Sequence, residues 1–217
     1  MNFLPGLRQG PKGIRKLDVE FDAMREHLFA LEAVRARTGK SVVVALASRA
    51  AKEGVTTSAL GLVRAIARTG TLRVLLIDYD PGRKGVAARL GIGARIANGA
   101  GPLKGDVLDA GAFQILTLDS ALPSGFDGDQ QWSTMFGVLI DGYDFVVVDT
   151  GSMAKPIAAR WGRIAGLFAV VVDTTRTTEE ELQRMRSEFD TVDQHIGAVI
   201  LSKRRYRVPG FLYRLLR

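Results

Sequence analysis

What most constrains this chain is a set of short apolar runs that do not alternate with polar residues and repeatedly close on an acid. Residues 41–47 read SVVVALA, 73–80 RVLLIDYD, 144–150 DFVVVDT and 167–174 LFAVVVDT. Lacking a period of two, each is predicted to be a strand covered on both faces, the pattern of a parallel sheet. FQILTL at 113–118 and IGAVILS at 196–202 are read as two further strands. Between them lie helical stretches at 55–68, 84–90, 132–140, 156–164 and 177–190; Pro156 suits a first helical turn. The alternation predicts an α/β fold, a mostly parallel central sheet with helices on both faces. Residues 92–112, rich in Gly and Ala, are expected to be loops with one helical turn and carry no functional reading.

Apolar positions at helical spacing, Phe21, Met24, Leu28, Leu31 and Val34, predict a leading helix over 17–38. The expected organisation is a basic arm at 1–16, one domain over 17–202 and a basic aromatic tail at 203–217. The chain's 217 residues allow a sizeable core. It has no cysteine, which excludes disulfides, thiolate catalysis and cysteine-bound metal. Two histidines, His27 and His195, leave no histidine-rich metal site. No apolar run approaches the roughly 20 residues of a membrane span, and the N-terminus lacks an apolar signal region. A cytoplasmic protein is therefore expected.

Part of the net charge of +7 gathers in the tail, where Lys203, Arg204, Arg205, Arg207, Arg214 and Arg217 have no acid among them. Such a tail attracts anionic lipid or an acidic partner, or simply keeps the surface soluble. No zinc finger or recognition-helix pattern supports a specific nucleic acid.

In open parallel sheets, ligands sit at the carboxyl ends of the strands. Three ends here deliver polar groups: Ser48 after the first strand, Asp78 and Asp80 after the second, Asp149 and Thr150 after the fourth. Asp also favours turns, which would account for one such end. Three together favour a nucleotide site, because unpaired buried carboxylates are costly. In SRAAKEGVTTS, Gly54 precedes a helix and Thr56 and Thr57 occupy its first turn, where an anion is favoured. The phosphate-loop pattern G-x-x-x-x-G-K-[ST] is not met: Arg49 stands at its first glycine and Val55 at its lysine. Val55 removes the cation that offsets charge during phosphoryl transfer. Lys52 and Arg49 are the candidate replacements. Asp78, Asp80 and Asp149 are the candidate catalytic carboxylates, and Thr56, Asp78 and Asp149 the candidate Mg2+ ligands. Arg83 either neutralises phosphate, bridges to a neighbouring subunit or is a surface arginine at a turn. Trp132 and Trp161 are read as helix-to-sheet packing and His195 as a surface or capping group. Ser152 lacks the context of a hydrolase nucleophile.

These motifs resemble the bacterial tyrosine-kinase family, within the MinD/ParA-like class of P-loop ATPases, over nearly the whole chain. The family loop T-S-x-x-P-G-E-G-K-S-T is matched at Ser48, Glu53, Gly54, Thr56 and Thr57, with Lys52 at a glycine position and Val55 at the lysine. Its D-x-D-x-x-R motif is matched by Asp78, Asp80 and Arg83. Asp149 and Thr150 match the second acidic strand, with Gly151 and Ser152 where the family has prolines. In the late G-x-V-L-N-K motif, Ser202 replaces the base-binding asparagine. The ring-forming helix keeps Arg25, but Val19, Asp22 and His27 replace its other polar groups. The tail has only Tyr206 and Tyr213 in place of a tyrosine cluster.

The resemblance implies a site for ATP or ADP and Mg2+, weak or lost. Ser48, Lys52, Glu53, Gly54, Val55, Thr56, Thr57, Arg83 and Ser202 would line the nucleotide. It further implies a pseudokinase that serves as scaffold or regulator in capsule or exopolysaccharide polymerisation and export. The expected partner is a membrane-anchored chain-length regulator or an intact kinase-like homologue, with residues 203–217 touching the inner face of the plasma membrane. The alternatives are an active tyrosine autokinase using Lys52 or Arg49, and a ParA/MinD-like ATPase in polysaccharide secretion or positioning. Ala50, where that last class places its signature lysine, counts against the third.

Overall fold

The computed structural model describes residues 31–79, 86–90, 96–97, 105–118, 129–153, 156–191 and 196–203. A helix at 31–38 (α1) continues the pattern of the leading stretch; 17–30 lie outside the described residues. There follow β1 (Val42–Ser48), α2 (Val55–Ala67), β2 (Val74–Asp78), α3 (Val86–Leu90), β3 (Ile96–Ala97), β4 (Gly105–Asp109) and β5 (Gln114–Leu118). The second half contributes α4 (Asp129–Ile140), β6 (Phe145–Ser152), α5 (Pro156–Ile164), β7 (Leu167–Asp173), α6 (Glu179–Thr191) and β8 (Ala198–Ser202).

The strands form one eight-stranded sheet in the order β3-β4-β5-β2-β6-β1-β7-β8. From β5 to β8 every pairing is parallel. The continuous apolar runs are explained by cover on both faces. Val43, Ala45 and Ala47 of β1 pack with Val146, Val148 and Trp161 on one side, where α4, α5 and α6 lie. Val42, Val44 and Leu46 pack with Val147, Ala59 and Val63 on the other, where α1, α2 and α3 lie. Trp161 is fully buried, its ring edge-on to Phe136 at 4.7 Å and to Tyr79 at 6.3 Å. The side chain of Trp132 lies outside the described residues.

The segment 92–112 departs from the loops and helical turn expected of it. It contains β3 and β4, and β4 runs antiparallel to β5 with Gly105 opposite Leu118 and Asp109 opposite Gln114. A tight connection closes this hairpin: the Ala110 N–H donates to the Phe113 carbonyl, and Gly111 takes φ 85°, where glycine has no steric penalty. Two short antiparallel strands at a sheet edge need no long apolar run, so composition did not mark them.

At the opposite end of the strands from the candidate site, Asp144 ties three elements together. It accepts from the Arg35 guanidinium of α1 at 2.5 Å and from the Arg73 backbone N–H at 2.7 Å. That backbone bond, opposed by partial burial and reinforced by Arg35, holds its carboxyl below the usual carboxylate range. Among the described residues, no helix is long and apolar enough to cross a membrane.

Candidate functional site

The outgoing loops of β1 and β7 lead to opposite sides of the sheet, which makes the carboxyl edge beside them the place for a ligand. The segment 49–54 lies there and is tied down on every side. Ser48 donates its hydroxyl to the Ala50 carbonyl at 2.8 Å, and its own carbonyl accepts from the Met153 N–H at 2.8 Å. The Ser152 hydroxyl donates to the Arg49 carbonyl at 3.1 Å. From β8, the Ser202 hydroxyl donates to the Glu53 carbonyl, and the Lys203 ammonium donates to the Lys52 carbonyl at 2.7 Å.

Two backbone positions give the segment its turn. Lys52 has φ 70° and Gly54 has φ 108°. The left-handed conformation at 52 explains why the resembling loop motif has glycine there. At Gly54 a side chain would be strained by the backbone conformation and crowded as well, since a Cβ would lie 3.1 Å from both Cβ and Oγ of Ser202. Gly54 caps α2 without a side-chain hydrogen bond, and the first turn of α2 holds no acid. Backbone N–H groups of that turn are thus available to an anion.

Val55, at the lysine position, is 6% exposed and packs with Leu46, Ala59 and Val171 in the core. Thr56 and Thr57 are partly exposed on the same turn. Glu53 is buried at 3% exposure. Of the two candidate cations, Arg49 pairs with Glu181 of α6 at 2.9 Å, and Lys52 is exposed.

Asp78 and Asp149 are register partners across β2 and β6, so the structure brings these two carboxylates side by side, both buried. Asp78 Oδ2 accepts from the Val86 N–H at 2.7 Å, and Asp149 Oδ1 from the Gly151 N–H at 3.1 Å. The β1–β6 register shifts after Leu46, leaving Thr150 as an extra residue whose hydroxyl donates to the Leu46 carbonyl at 2.9 Å. This bulge, with Gly151 at φ 71°, bends the strand end beside the loop. Asp80 and Arg83 lie outside the described residues, as do Tyr206, Tyr213 and His195.

The candidate Mg2+ ligands Asp78, Asp149 and Thr56 would all offer oxygen, which suits Mg2+ rather than zinc. Among the described residues, no group of three or more Asp, Glu or His side chains gathers as a complete metal cage. Partial protein ligation is what Mg2+ takes beside a nucleotide's phosphates.

Three residues at this edge escaped sequence reasoning. Asp173 ends β7 as Asp78 ends β2, so the signal of an acid closing an apolar run was present a third time. Its buried carboxylate accepts from Lys203 Nζ at 2.5 Å and from the Thr175 hydroxyl at 2.7 Å. Burial pushes its carboxyl up, but Lys203 and Thr175 outweigh this and hold it at about 2. Lys203 follows Ser202 in the late strand motif and was read only as part of the basic tail. Arg89 of α3 donates to the Thr57 hydroxyl at 3.3 Å; nothing in a short helix singled it out.

No protein-family model matches the sequence, and no curated protein is significantly similar to it. Solved structures are similar in fold. The kinase domain of the Escherichia coli tyrosine kinase ETK superposes with a TM-score of 0.65 at 18% identity, covering 87% of this chain and 79% of that one. The VpsO kinase domain gives 0.64 at 20% identity, covering 87% and 98%. A plasmid partition protein from Borrelia burgdorferi bound to AMPPNP gives 0.57 at 17% identity, covering 82% of each. The chain thus has the P-loop NTPase fold shared by bacterial tyrosine-kinase domains and MinD-type ATPases, as the motifs led one to expect.

Proposed function

We propose that this protein is a degenerate tyrosine-kinase-like P-loop protein that binds ATP or ADP weakly and does not turn it over efficiently. On this reading it acts as a scaffold or regulator in capsule or exopolysaccharide polymerisation and export. The observation that carries the reading is Val55: the position where a phosphate loop needs its lysine is occupied by an apolar side chain packed into the core. A buried valine offers developing phosphate charge no electrostatic partner. Arg49 is drawn to Glu181 rather than to the first turn of α2, and no phosphate-loop lysine stands at position 55.

What remains supports binding. The uncapped amino end of α2, with Thr56 and Thr57 in its first turn, would cradle phosphates. Asp78, Asp149 and Thr56 would hold Mg2+, which when bound neutralises phosphate charge. Ser48, Glu53, Gly54 and Ser202 shape the loop through their backbone contacts. Asp80 and Arg83 belong to the same proposed site by motif. The proposed partner is a membrane-anchored chain-length regulator or an intact kinase-like homologue at the cytoplasmic membrane face, with the basic tail as the contact.

The test is phosphate release from Mg-ATP together with phosphotyrosine detection on Tyr206 and Tyr213. Neither signal should rise above a protein-free control. Turnover that disappears in Asp78→Ala would overturn the pseudokinase and restore the autokinase.

A further inference from the structure

We infer that the outer edge of β8 is a docking surface for a second copy of this chain, which adds its own β8 antiparallel across a two-fold axis at Ile200. The inference does not depend on the nucleotide-binding reading above.

β8 (Ala198–Ser202) ends the eight-stranded sheet, with β7 on one side and no strand on the other among the described residues. Edge strands are commonly protected by charge, proline, a bulge or shortness. AVILS holds no charge and no proline, and it pairs with β7 in unbroken register. The opposite edge, β3, has only two residues. One face of β8 is open as well. Val199 and Leu201 stand beside Val170 and Val172, which are buried in the cluster that includes Met185 of α6. Yet Val199 and Leu201 are 50% and 52% exposed. The apolar row of the sheet therefore runs on past its cover. Ala198 and Ile200 turn to the other face, beside Ala169 and Val171.

Backbone geometry makes this edge self-complementary. The Thr174 N–H donates to the Ser202 carbonyl at 3.2 Å, so the polar groups of Ser202 and, by alternation, of Ile200 and Ala198 face β7. Those of Val199 and Leu201 face outward. With Ile200 opposite Ile200 of the second copy, Val199 falls opposite Leu201 of that copy, and the reverse. Each such pair exchanges both of its N–H to C=O bonds. The axis stands perpendicular to the sheet, so Val199 and Leu201 of both copies share one face and touch across the seam. The same register sets Lys203, already paired with Asp173, opposite Gly197, so no like charges meet there. A second copy thus supplies the matching apolar pair and a second α6 beside it. Five residues a side bury less than the roughly 1,200 Å² of a standard interface. The net charge of +7 on each copy also opposes association. The pairing is therefore reversible, with a Kd on the order of 10–100 μM.

The test is sedimentation equilibrium of the full chain from about 5 to about 500 μM, a range that spans this Kd. Wild type is compared with Val199→Lys and with Val138→Lys, which places the same charge on an exposed apolar residue of α4. Wild type should pass from monomer to dimer. Val199→Lys should dimerise about tenfold more weakly, and Val138→Lys should match wild type. The chain has no cysteine of its own. A mixture of Val199→Cys and Leu201→Cys copies should therefore form disulfide dimers under mild oxidation faster than either variant alone, as paired Cα atoms about 5.5 Å apart suit the bond. Should Val199→Lys fail to fold, this cysteine comparison still decides. Wild type that remains monomeric throughout the range overturns the inference and leaves the edge to a different partner. A dimer that Val199→Lys leaves as tight as wild type overturns it too, as does a cysteine mixture that links no faster than the single variants.

Discussion

Lys52 shows how one residue can be costly in backbone and useful in contact. Its φ of 70° places a non-glycine side chain in the left-handed region, at a penalty of about 1–2 kcal/mol. What the loop uses of Lys52 is its carbonyl, which accepts from Lys203, while the residue itself is exposed. Lys52→Gly is therefore expected to stabilise the protein by about 1 kcal/mol in urea denaturation and to leave nucleotide affinity unchanged; the greater freedom of glycine in the unfolded chain offsets part of the relieved strain. A drop in affinity would show that the ammonium itself contacts phosphate. Asp173 makes the complementary case. Its folded-state value of about 2 lies below the ordinary carboxylate value, so the folded state takes up its proton later than the unfolded chain. The resulting stability is present above about pH 4 and fades as the pH falls towards 2. Asp173→Asn should lose about 1.5–3 kcal/mol at neutral pH and show a flatter decline in acid, measured by denaturation at a series of pH values. An unchanged neutral-pH stability would mean that Lys203 does not hold the loop through Asp173.

At the scale of elements, α1 is anchored by a polar junction at Asp144. Asp144 joins Arg35 of α1 to Arg73 at the start of β2, while Leu31 of the same helix enters the core. Arg35 is partly exposed, so solvent screens the pair, and Asp144→Asn should cost only about 1 kcal/mol. The loss should appear mainly as faster amide exchange across 31–38. Uniform acceleration over the whole chain would instead assign Asp144 to global stability. Because its carboxyl is held below the usual range, chiefly by the Arg73 N–H, this contribution also fades as acid protonates it. The elements most legible in sequence were those buried on both faces. For β1, β2, β6 and β7, a continuous apolar run and its length sufficed, and the helices between them followed from spacing. The hairpin of β4 and β5 was half visible: QILTL reads as a strand, but GDVLD has two apolar residues and owes its state to a partner reached through a tight turn. Pairing with a neighbour leaves little trace in composition when the strand is short.

For the whole molecule, the candidate site depends on how the central strands come together. Ser48, Asp78 and Asp149 were legible because each closes a buried run, and the fold sets Asp78 beside Asp149 in register. Asp173 closes a buried run in the same way and carried the same signal, whereas Arg89 and Lys203 did not, because their contacts span large sequence separations: Lys203 to Lys52, Arg89 to Thr57. The same convergence has a thermodynamic consequence. A ligand in the proposed cradle would touch groups from β1, β2, β6 and α2, elements that share the central core, so its binding energy should act on unfolding of the domain as a unit. The net charge of +7 favours an anionic ligand at long range as well. Mg-ADP at ten times its Kd contributes about 1.4 kcal/mol to the folded state. For a domain of this size that raises Tm by about 3–5 °C. Differential scanning calorimetry should show one transition moving upward with ADP, and the shift should shrink when EDTA removes Mg2+. With two carboxylates side by side, phosphate without the metal meets repulsion that the metal offsets. A Tm that stays fixed as ADP rises through the millimolar range would show that this edge of the sheet does not take nucleotide. A shift unaffected by EDTA would show that Asp78 and Asp149 serve packing rather than metal.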